Sequence, residues 1–518
     1  MELIKRNIHM DCIRTEAVTQ ITLEDDMNIP ESKPDVDVIN MDKGEIVIEE
    51  VRAGNDVVNV RGKLVYRILY RTSEKGRNLV ALEGKIPFEE RMNLRGATVQ
   101  DTVTVDGKVE DLDIGIINSR KLSLQSVVTL HARVEALCDE EVPIGIHGEN
   151  AVEYRKMPLE IAQIVISKKD IFRVKDEVAM PSGYPNIYRI LWDTVSLRDM
   201  EFKALNEKLS VQGEVHVFVL YEGEGEDRPV RSFETTLPIN GVLECHGCRE
   251  GMLPDIRYAS GQQELTVRPD FDGEERNIGV ELVLDIGIKI YDEERLEVLS
   301  DIYGVSKEVE AVTRKANLRR LLSRVTGKTK VADHVKLAGG VPVLQLMHSE
   351  GQVLLDHQEV VDNGILLQGS LVIKVMYITG NDEMPYVSAR VLLPYEYTLD
   401  VPGIASADMG KVYAGLEQMQ VNMLDGEELD VRAVLSFHTT VFQNIPLQLI
   451  SQVNVSDIDS SKLAGLPGMV IYMVRPGDNL WNIGKKYYVP TDVLRQLNNL
   501  STDELKTGQK LLIVKQSC

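Results

Sequence analysis

Two short segments of this 518-residue chain have residue types and spacings that could do chemistry. Cys245-His246-Gly247-Cys248 is a CxxC, the spacing at which two thiols bind zinc or cycle through a disulfide, with His246 or His216 as a further ligand. A structural metal site needs a second pair of ligands, and none stands at suitable spacing. A turn between strands is the expected role. Thr326-Gly327-Lys328-Thr329 matches the end of a phosphate-binding loop. The earlier glycine that such a loop requires falls on Leu322, so the backbone cradle cannot form. No GxSxG or HExxH occurs. With 81 acidic residues, paired carboxylates arise by chance and carry no argument for glycoside hydrolysis. Asp139-Glu140-Glu141 and Asp425-Gly426-Glu427-Glu428 read as solvated loops. The expectation is a protein with no catalytic residues, no metal and no cofactor, and not an enzyme.

The elements around these segments belong to several domains, because the chain is too long for one core. Net charge is −23. The part from Met469 onward runs the other way, at +3, which leaves −26 on the preceding body. Such a body repels phosphate backbones and anionic lipid headgroups, so nucleic acid is not an expected partner. The opening MELIKRNIHMDCIRTEAVTQ has no apolar core of a signal peptide, and no apolar run is long enough to span a membrane. Five cysteines, an odd count, do not make a disulfide framework, and a reducing cytoplasm is the expected compartment.

One unit recurs three times. Gly62, Gly213 and Gly369 are each followed after eight residues by a tyrosine (Tyr70, Tyr221, Tyr377) and after twenty-five by a proline (Pro87, Pro238, Pro394). Upstream stand Pro34, Pro185 and Pro342, with Asp25, Asp176 and Asp333 nine residues earlier. Around each glycine the apolar residues alternate with period two, as in Val58, Val60, Gly62, Leu64, Tyr66 and Ile68. That is a half-buried strand with a glycine on its inward face, where a bulge or a close backbone approach is expected. A second strand recurs at 122–134, 278–290 and 429–441. Residues 311–325 read as a possible helix entering the third copy. The predicted class is mainly β: three tandem sandwich-like or barrel-like domains at 1–150, 151–308 and 309–452, a polar linker at 453–468, and a small β-α-α-β module at 469–515.

In that last module Val470, Tyr472 and Val474 start a strand, and Pro476-Gly477-Asp478 turns the chain. Asp478 or Asn479 caps a first helix carrying Leu480, Ile483 and Tyr487. Thr491 caps a second, with Val493, Leu494 and Leu497 inward and Asn498-Asn499 ending it. Gly508-Gln509 leads into a closing strand. These residues at these spacings resemble a LysM module, although Asn479 stands where Ser or Thr is usual and Lys515 where Pro is common. The resemblance implies a binding module for N-acetylglucosamine polymers or, in some cases, proteins. Its candidate contact residues are Met469, Ile471, Met473, Gly477, Asp478, Asn479, Leu480, Trp481, Asn498, Asn499 and Leu500. Trp481 either flanks a partner groove or packs on Tyr487 or Tyr488. Met469, Ile471 and Met473 leave the first strand apolar on its outer face too. Either the linker or third β domain covers them, or a partner protein does.

The segment DDMNIPESKPDVDVI (25–39), the strand GKLVYRILY (62–70) and the following LysM-like module together resemble the spore-coat-associated SPOCS architecture. The resemblance is best in the first copy. Ser182-Gly183-Tyr184 replaces Glu31-Ser32-Lys33 in the second copy, and the third keeps little of the segment. Membership would imply a scaffold in the mother-cell cytoplasm at the forespore surface. Its LysM would bind the coat basement-layer ATPase, stage IV sporulation protein A, and other coat proteins are further possible partners. A peptidoglycan-binding protein of the spore envelope is the alternative.

Overall fold

Alternating apolar and polar residues make strands of nearly the whole body, as a period of two requires. The structure is a computed structural model, and it describes residues 1–74, 78–148, 152–225, 228–337, 342–408, 410–459 and 467–514. The first repeat has β1 (Glu2–Asn28), β2 (Val36–Ala53), β3 (Val57–Thr72), β4 (Leu79–Asn93), β5 (Val103–Asn118) and β6 (Lys121–His147). The second has β7 (Val152–Ala179), β8 (Ile187–Leu205), β9 (Lys208–Gly223), β10 (Val230–Glu244), β11 (Leu253–Pro269) and β12 (Glu275–Gly304). The third has β13 (Glu308–Lys336), β14 (Val343–Val361), β15 (Gly364–Thr379), β16 (Tyr386–Asp400), β17 (Tyr413–Met423) and β18 (Glu428–Ser456).

Every repeat folds the same way, into two three-stranded antiparallel sheets. In the first repeat the orders are β2-β3-β4 and β1-β6-β5. In the second they are β10-β9-β8 and β11-β12-β7, and in the third β14-β15-β16 and β13-β18-β17. The two sheets of the first repeat share one core, with Leu64, Ile68 and Tyr70 from β3 and Leu124, Val128 and Leu130 from β6.

The recurring residues earn their places locally. Pro87, Pro238 and Pro394 lie on the edge strands β4, β10 and β16, opposite Lys63, Glu214 and Ser370. An edge position tolerates the missing N–H. Tyr70 and Tyr221 donate their hydroxyls to the carbonyls of Pro34 (2.9 Å) and Pro185 (3.3 Å). Asp25, Asp176 and Asp333 each accept from the next backbone N–H at 2.8 Å. The three glycines lie on equivalent strands, β3, β9 and β15. Opposite each, the neighbouring strand carries an irregularity: Ile48/Glu50, Arg198/Glu201 and Leu355/His357. The expected close approach is present. A Cβ at Gly62 would lie 2.6 Å from the Val47 carbonyl, and one at Gly369 would lie 2.0 Å from that of Leu354.

Three expectations are corrected. Residues 311–325 are not helical; they lie in β13, paired with β18 from Glu308 to Lys336. The long partner strand satisfies a ladder that helical propensity alone could not outweigh. Asp139-Glu140-Glu141 is not a loop but part of β6, where its members pair with His9, Arg314 and Lys5. Cys12 and Cys138 form a disulfide across β1 and β6. The register sets Met10 opposite Cys138 and Cys12 opposite Ala136, so the two thiols are diagonal neighbours. The run 425–428 does sit in a turn up to Glu428, where β18 begins.

The repeats do not stand apart. The outer halves of β1/β6, β7/β12 and β13/β18 run on beyond their sandwiches as two-stranded ribbons. They share a core of Ile8, Val142, Ile161, Leu296, Leu318 and Leu449 among others. These ribbons form a three-sided trunk. Glu2/His147, Val152/Gly304 and Glu308/Ser456 are its terminal pairs. A second shared core lies between the other sheets, built from Met41 and Leu69, from Trp192 and Leu220, and from Met347 and Met376. Leu69, Leu220 and Met376 each stand seven residues after the repeat glycine. Equivalent positions also close the ring of repeats. Arg67 pairs with Asp193 (2.7 Å), Phe218 stacks on His348 (3.8 Å) and Lys374 pairs with Asp42 (2.8 Å).

Candidate functional site: the tail module and its seat

The tail folds as a β-α-α-β unit of β19 (Met469–Met473), α1 (Leu480–Tyr487), α2 (Thr491–Leu497) and β20 (Lys510–Val514). β19 and β20 pair antiparallel. Val474, Leu480, Ile483, Val489, Leu494, Leu511 and Ile513 fill its core, with Val470, Tyr472 and Leu500 against it. Asn479 is the cap of α1 and accepts from the Asn482 N–H at 2.8 Å. Asp478 instead braces the preceding turn: it accepts from the Tyr472 hydroxyl and the Arg475 N–H, both at 2.7 Å. Those bonds hold its carboxyl below the ordinary carboxylate range, the Arg475 N–H contributing most. Gly477 takes φ +87°, the left-handed turn that favours glycine.

Two local expectations fail. Thr491 is the first residue of α2 rather than its cap; the cap is Pro490, which has no side chain able to accept. Leu497 is 38% exposed rather than inward. β18 continues to Ser456, so residues 453–456 are strand and not linker, and residues 460–466 of the expected linker lie outside those described.

The candidate contact residues divide into two sets. Leu480 is in the core and Leu500 packs against it. Asn498 is structural: its amide donates to the carbonyls of Leu494 and Leu512 and accepts from the Leu512 N–H. Asn499 takes a left-handed conformation (φ 50°) just beyond α2. Met469, Ile471 and Met473 are the outward set, 64%, 72% and 57% exposed. Among the described residues neither the linker nor the third repeat covers them.

Trp481 packs on the trunk rather than on Tyr487 or Tyr488. Its indole Nε1 donates to Asp301 Oδ2 at 2.8 Å, and its ring meets that of Tyr303 edge-on, centroids 4.9 Å apart. Arg155 lies 5.6 Å above it. Lys485 reaches the other oxygen of Asp301 at 2.6 Å. The Tyr303 hydroxyl donates to the Val489 carbonyl (2.9 Å), Tyr488 to Glu308 (2.6 Å) and Thr491 to Glu153 (3.2 Å). A Cβ at Gly484 would lie 2.6 Å from the Tyr303 hydroxyl, so that glycine admits the ring. The tail is therefore seated on the trunk tip, on the ends of β7, β12 and β13. The sequence signal for this seat was Tyr488 and Lys485 beside Trp481, polar tips on one helix face. Nothing local in 301–308 announced the other half.

The chemical candidates resolve as packing. Cys245 and Cys248 are fully buried in the core of the second repeat. The Cys248 N–H donates to the Cys245 carbonyl, as Ala97 does to Leu94 and Ile404 to Val401 in the other repeats. The CxxC thus fills an apolar plug position. Burial, then the neighbouring Cys248, pushes the Cys245 thiol up to about 11. His246 points away, its side chain 86% exposed. Thr326–Thr329 lies extended in β13. No group of three or more metal-ligating side chains occurs among the described residues.

Family models place a SipL, SPOCS domain at residues 35–117, 186–266 and 342–424, and a LysM domain at 472–514. The chain carries three SPOCS domains followed by a LysM domain. Each SPOCS match runs from the segment before the second strand of a repeat to its fifth, and the long outer strands of the trunk lie outside it. The combination fits a coat-associated scaffold of sporulation with a peptidoglycan-binding type of module. The uncharacterized protein YkzQ of Bacillus subtilis (strain 168) is 42% identical over 43 residues, 8% of this chain and 57% of that protein. The chain thus spans little more than half the length of that relative. No solved structure matches. No helix is long and apolar enough to cross a membrane among the described residues.

Proposed function

We propose that this SPOCS–LysM chain is a non-catalytic scaffold of the spore coat at the forespore surface, in the mother-cell cytoplasm. The three SPOCS domains form one rigid base. The LysM domain docks a coat protein, the basement-layer morphogenetic ATPase of the stage IV sporulation protein A type. The observation that carries this reading is the bare apolar face of β19, Met469, Ile471 and Met473. A two-stranded sheet in water normally turns polar residues outward, and methionine suits an adaptable protein contact. Trp481, seated on the trunk, is the hinge side of the module and β19 its free side.

Interfaces concentrate their energy in a few apolar anchors, and a buried unpaired arginine costs several kcal/mol. Ile471→Arg in the full chain is expected to abolish capture of the purified ATPase while the melting curve stays unchanged. Wild-type capture by Ile471→Arg and by Met473→Arg would overturn the docking face. Peptidoglycan binding is the second reading, favoured by the module type. It replaces the first if the wild-type chain sediments with purified peptidoglycan and captures no coat protein.

A further inference from the structure

A cavity of about 2080 Å³ lies where the three repeats meet. Small-molecule sites usually occupy ~300–1,000 Å³, so this space admits a stretch of polypeptide. Its walls reverse the charge of the protein. The lining carries ten Lys and Arg against eight Asp and Glu, whereas the chain as a whole has 58 against 81. Four of those cations, Lys169, Arg198, Arg324 and Lys411, have no carboxylate within ion-pair distance among the described residues.

Deeper in, Arg133 is 3% exposed and pairs with Asp106 (3.0 Å), yet its Nε makes no hydrogen bond, although Glu135 Oε1 lies 2.9 Å away. The Nε of Arg257 is also buried without a partner. Lys411 stands at the exposed rim, where partial desolvation and then the nearby Arg133 lower its pKa against the pull of Asp106 and Glu135. Asp106 and Glu135 already face Arg133 and Arg257, and a further negative group entering here would favour the Lys411 ammonium.

The backbone points the same way. β8, β11 and β17 are each the outermost strand of their sheets. They line the cavity with unbroken runs, 197–203, 254–259 and 413–417. As edge strands, β8, β11 and β17 each have a ladder partner on one side only, which leaves N–H and C=O groups on the other side for a further strand. Such an edge takes up an extended peptide by adding it as a strand.

From this junction of basic side chains and open strand edges we infer that the cavity is a docking site for an extended acidic peptide segment of a partner protein. Main-chain pairing along β11 or β17 supplies the extended conformation. Carboxylates on alternate residues meet Lys169, Arg198, Arg324 and Lys411. The surface is separate from β19, so a partner held here leaves the LysM face free.

The test uses the full chain and a fluorescein-labelled octapeptide of alternating Glu and Thr, followed by fluorescence anisotropy. A Lys–Thr octapeptide and citrate serve as comparisons. The acidic peptide is expected to bind and to weaken as salt rises, because exposed charge contacts are screened. Arg324→Glu with Lys411→Glu is expected to weaken it at least about tenfold. Both residues are exposed, so that variant should melt like the wild type. Hydrogen exchange should show new protection at 254–259 or 413–417 on binding. The inference is overturned if the acidic peptide binds no better than the Lys–Thr peptide, or if the double variant binds it equally. Equal displacement by citrate without new backbone protection overturns it as well, because that marks a site for any small polyanion.

Discussion

A carbonyl lies over each repeat glycine, and the three cases differ in what could yield. At Gly369 a Cβ would meet the backbone oxygen of Leu354 at 2.0 Å, which cannot rotate away. At Gly213 the nearest atom is the Met200 sulfur at 2.5 Å, the end of a flexible side chain, with the Arg198 carbonyl at 3.2 Å. Gly369→Ala is therefore expected to cost about 3 kcal/mol and Gly213→Ala about 1 kcal/mol, read from denaturant midpoints. Equal costs would mean that the ladder at Leu354 gives way. The need for glycine was legible in the sequence, because period-two alternation set each one on the inward face. The bulge that causes the need was not, since a bulge lies in the partner strand and leaves no mark on the glycine's own segment. The CxxC misleads only when read alone. Two cysteines at metal spacing fill places that Leu94 and Ala97 or Val401 and Ile404 fill elsewhere, each pair 32 and 35 residues after its repeat glycine, so the register of the repeats already marks them as packing positions.

Among elements, the joint between α1 and the trunk tip turns on one carboxylate. Burial works against the charge of Asp301, but hydrogen bonds from Lys485 and Trp481 more than offset it and hold its pKa below the ordinary range. A depressed carboxyl contributes stability above its unfolded value near ~4 and loses it as pH falls through the lower folded value. The tail should therefore stay seated at neutral pH and come loose in strong acid. Asp301→Asn is expected to weaken the seat by about 1–2 kcal/mol, allowing for solvent screening at the half-exposed Lys485. The readout is proteolysis between Ser456 and Met469 at neutral pH, expected to be roughly tenfold faster in the variant. An unchanged cutting rate would show that Asp301 does not hold the tail. The tail's own fold was readable almost residue by residue, from capping and turn residues acting at short range. Its seat was not, because Asp301 and Tyr303 stand 180 and 178 positions before Trp481 and share no local pattern with it.

For the whole molecule, the ring of repeats has two joints made by ion pairs and one made by Phe218 stacked on His348. Burial, then the nearby His216 and Lys43, pushes His348 down to about 3; Glu350, at 4.0 Å, is the facing carboxylate. A histidine with a depressed folded value stabilises the protein above its unfolded value near 6.5 and loses that contribution as pH falls below it. Moving from pH 6.5 to pH 5 should thus cost the joint about 2 kcal/mol. His348→Gln should remove that part of the pH dependence of melting. An identical slope in the variant would place the titration elsewhere. That each repeat is a β sandwich could be read from its own residues. That the three close into a ring could not, because the recurring anchors each act within their own repeat and none marks a contact from one copy to the next. The clue was present in Leu69, Leu220 and Met376, which break the strict alternation just before the anchor tyrosine in every copy. A strand apolar on both faces needs two cores.

The tail is held to the trunk tip in two ways at once, by the seat around Trp481 and by the chain itself. Residues 457–468, fully drawn out, reach roughly 40 Å. A pull on the LysM domain therefore meets first the non-covalent seat, then the covalent link of 457–468, and only afterwards β18, which must slide along its whole ladder with β13 before the body yields. The assembly has the mechanics of a tether with a catch. Small displacements between the base and the LysM domain are resisted. Larger ones let the LysM domain move, within the reach of that link, without breaking it, and the seat can engage again once the load is gone.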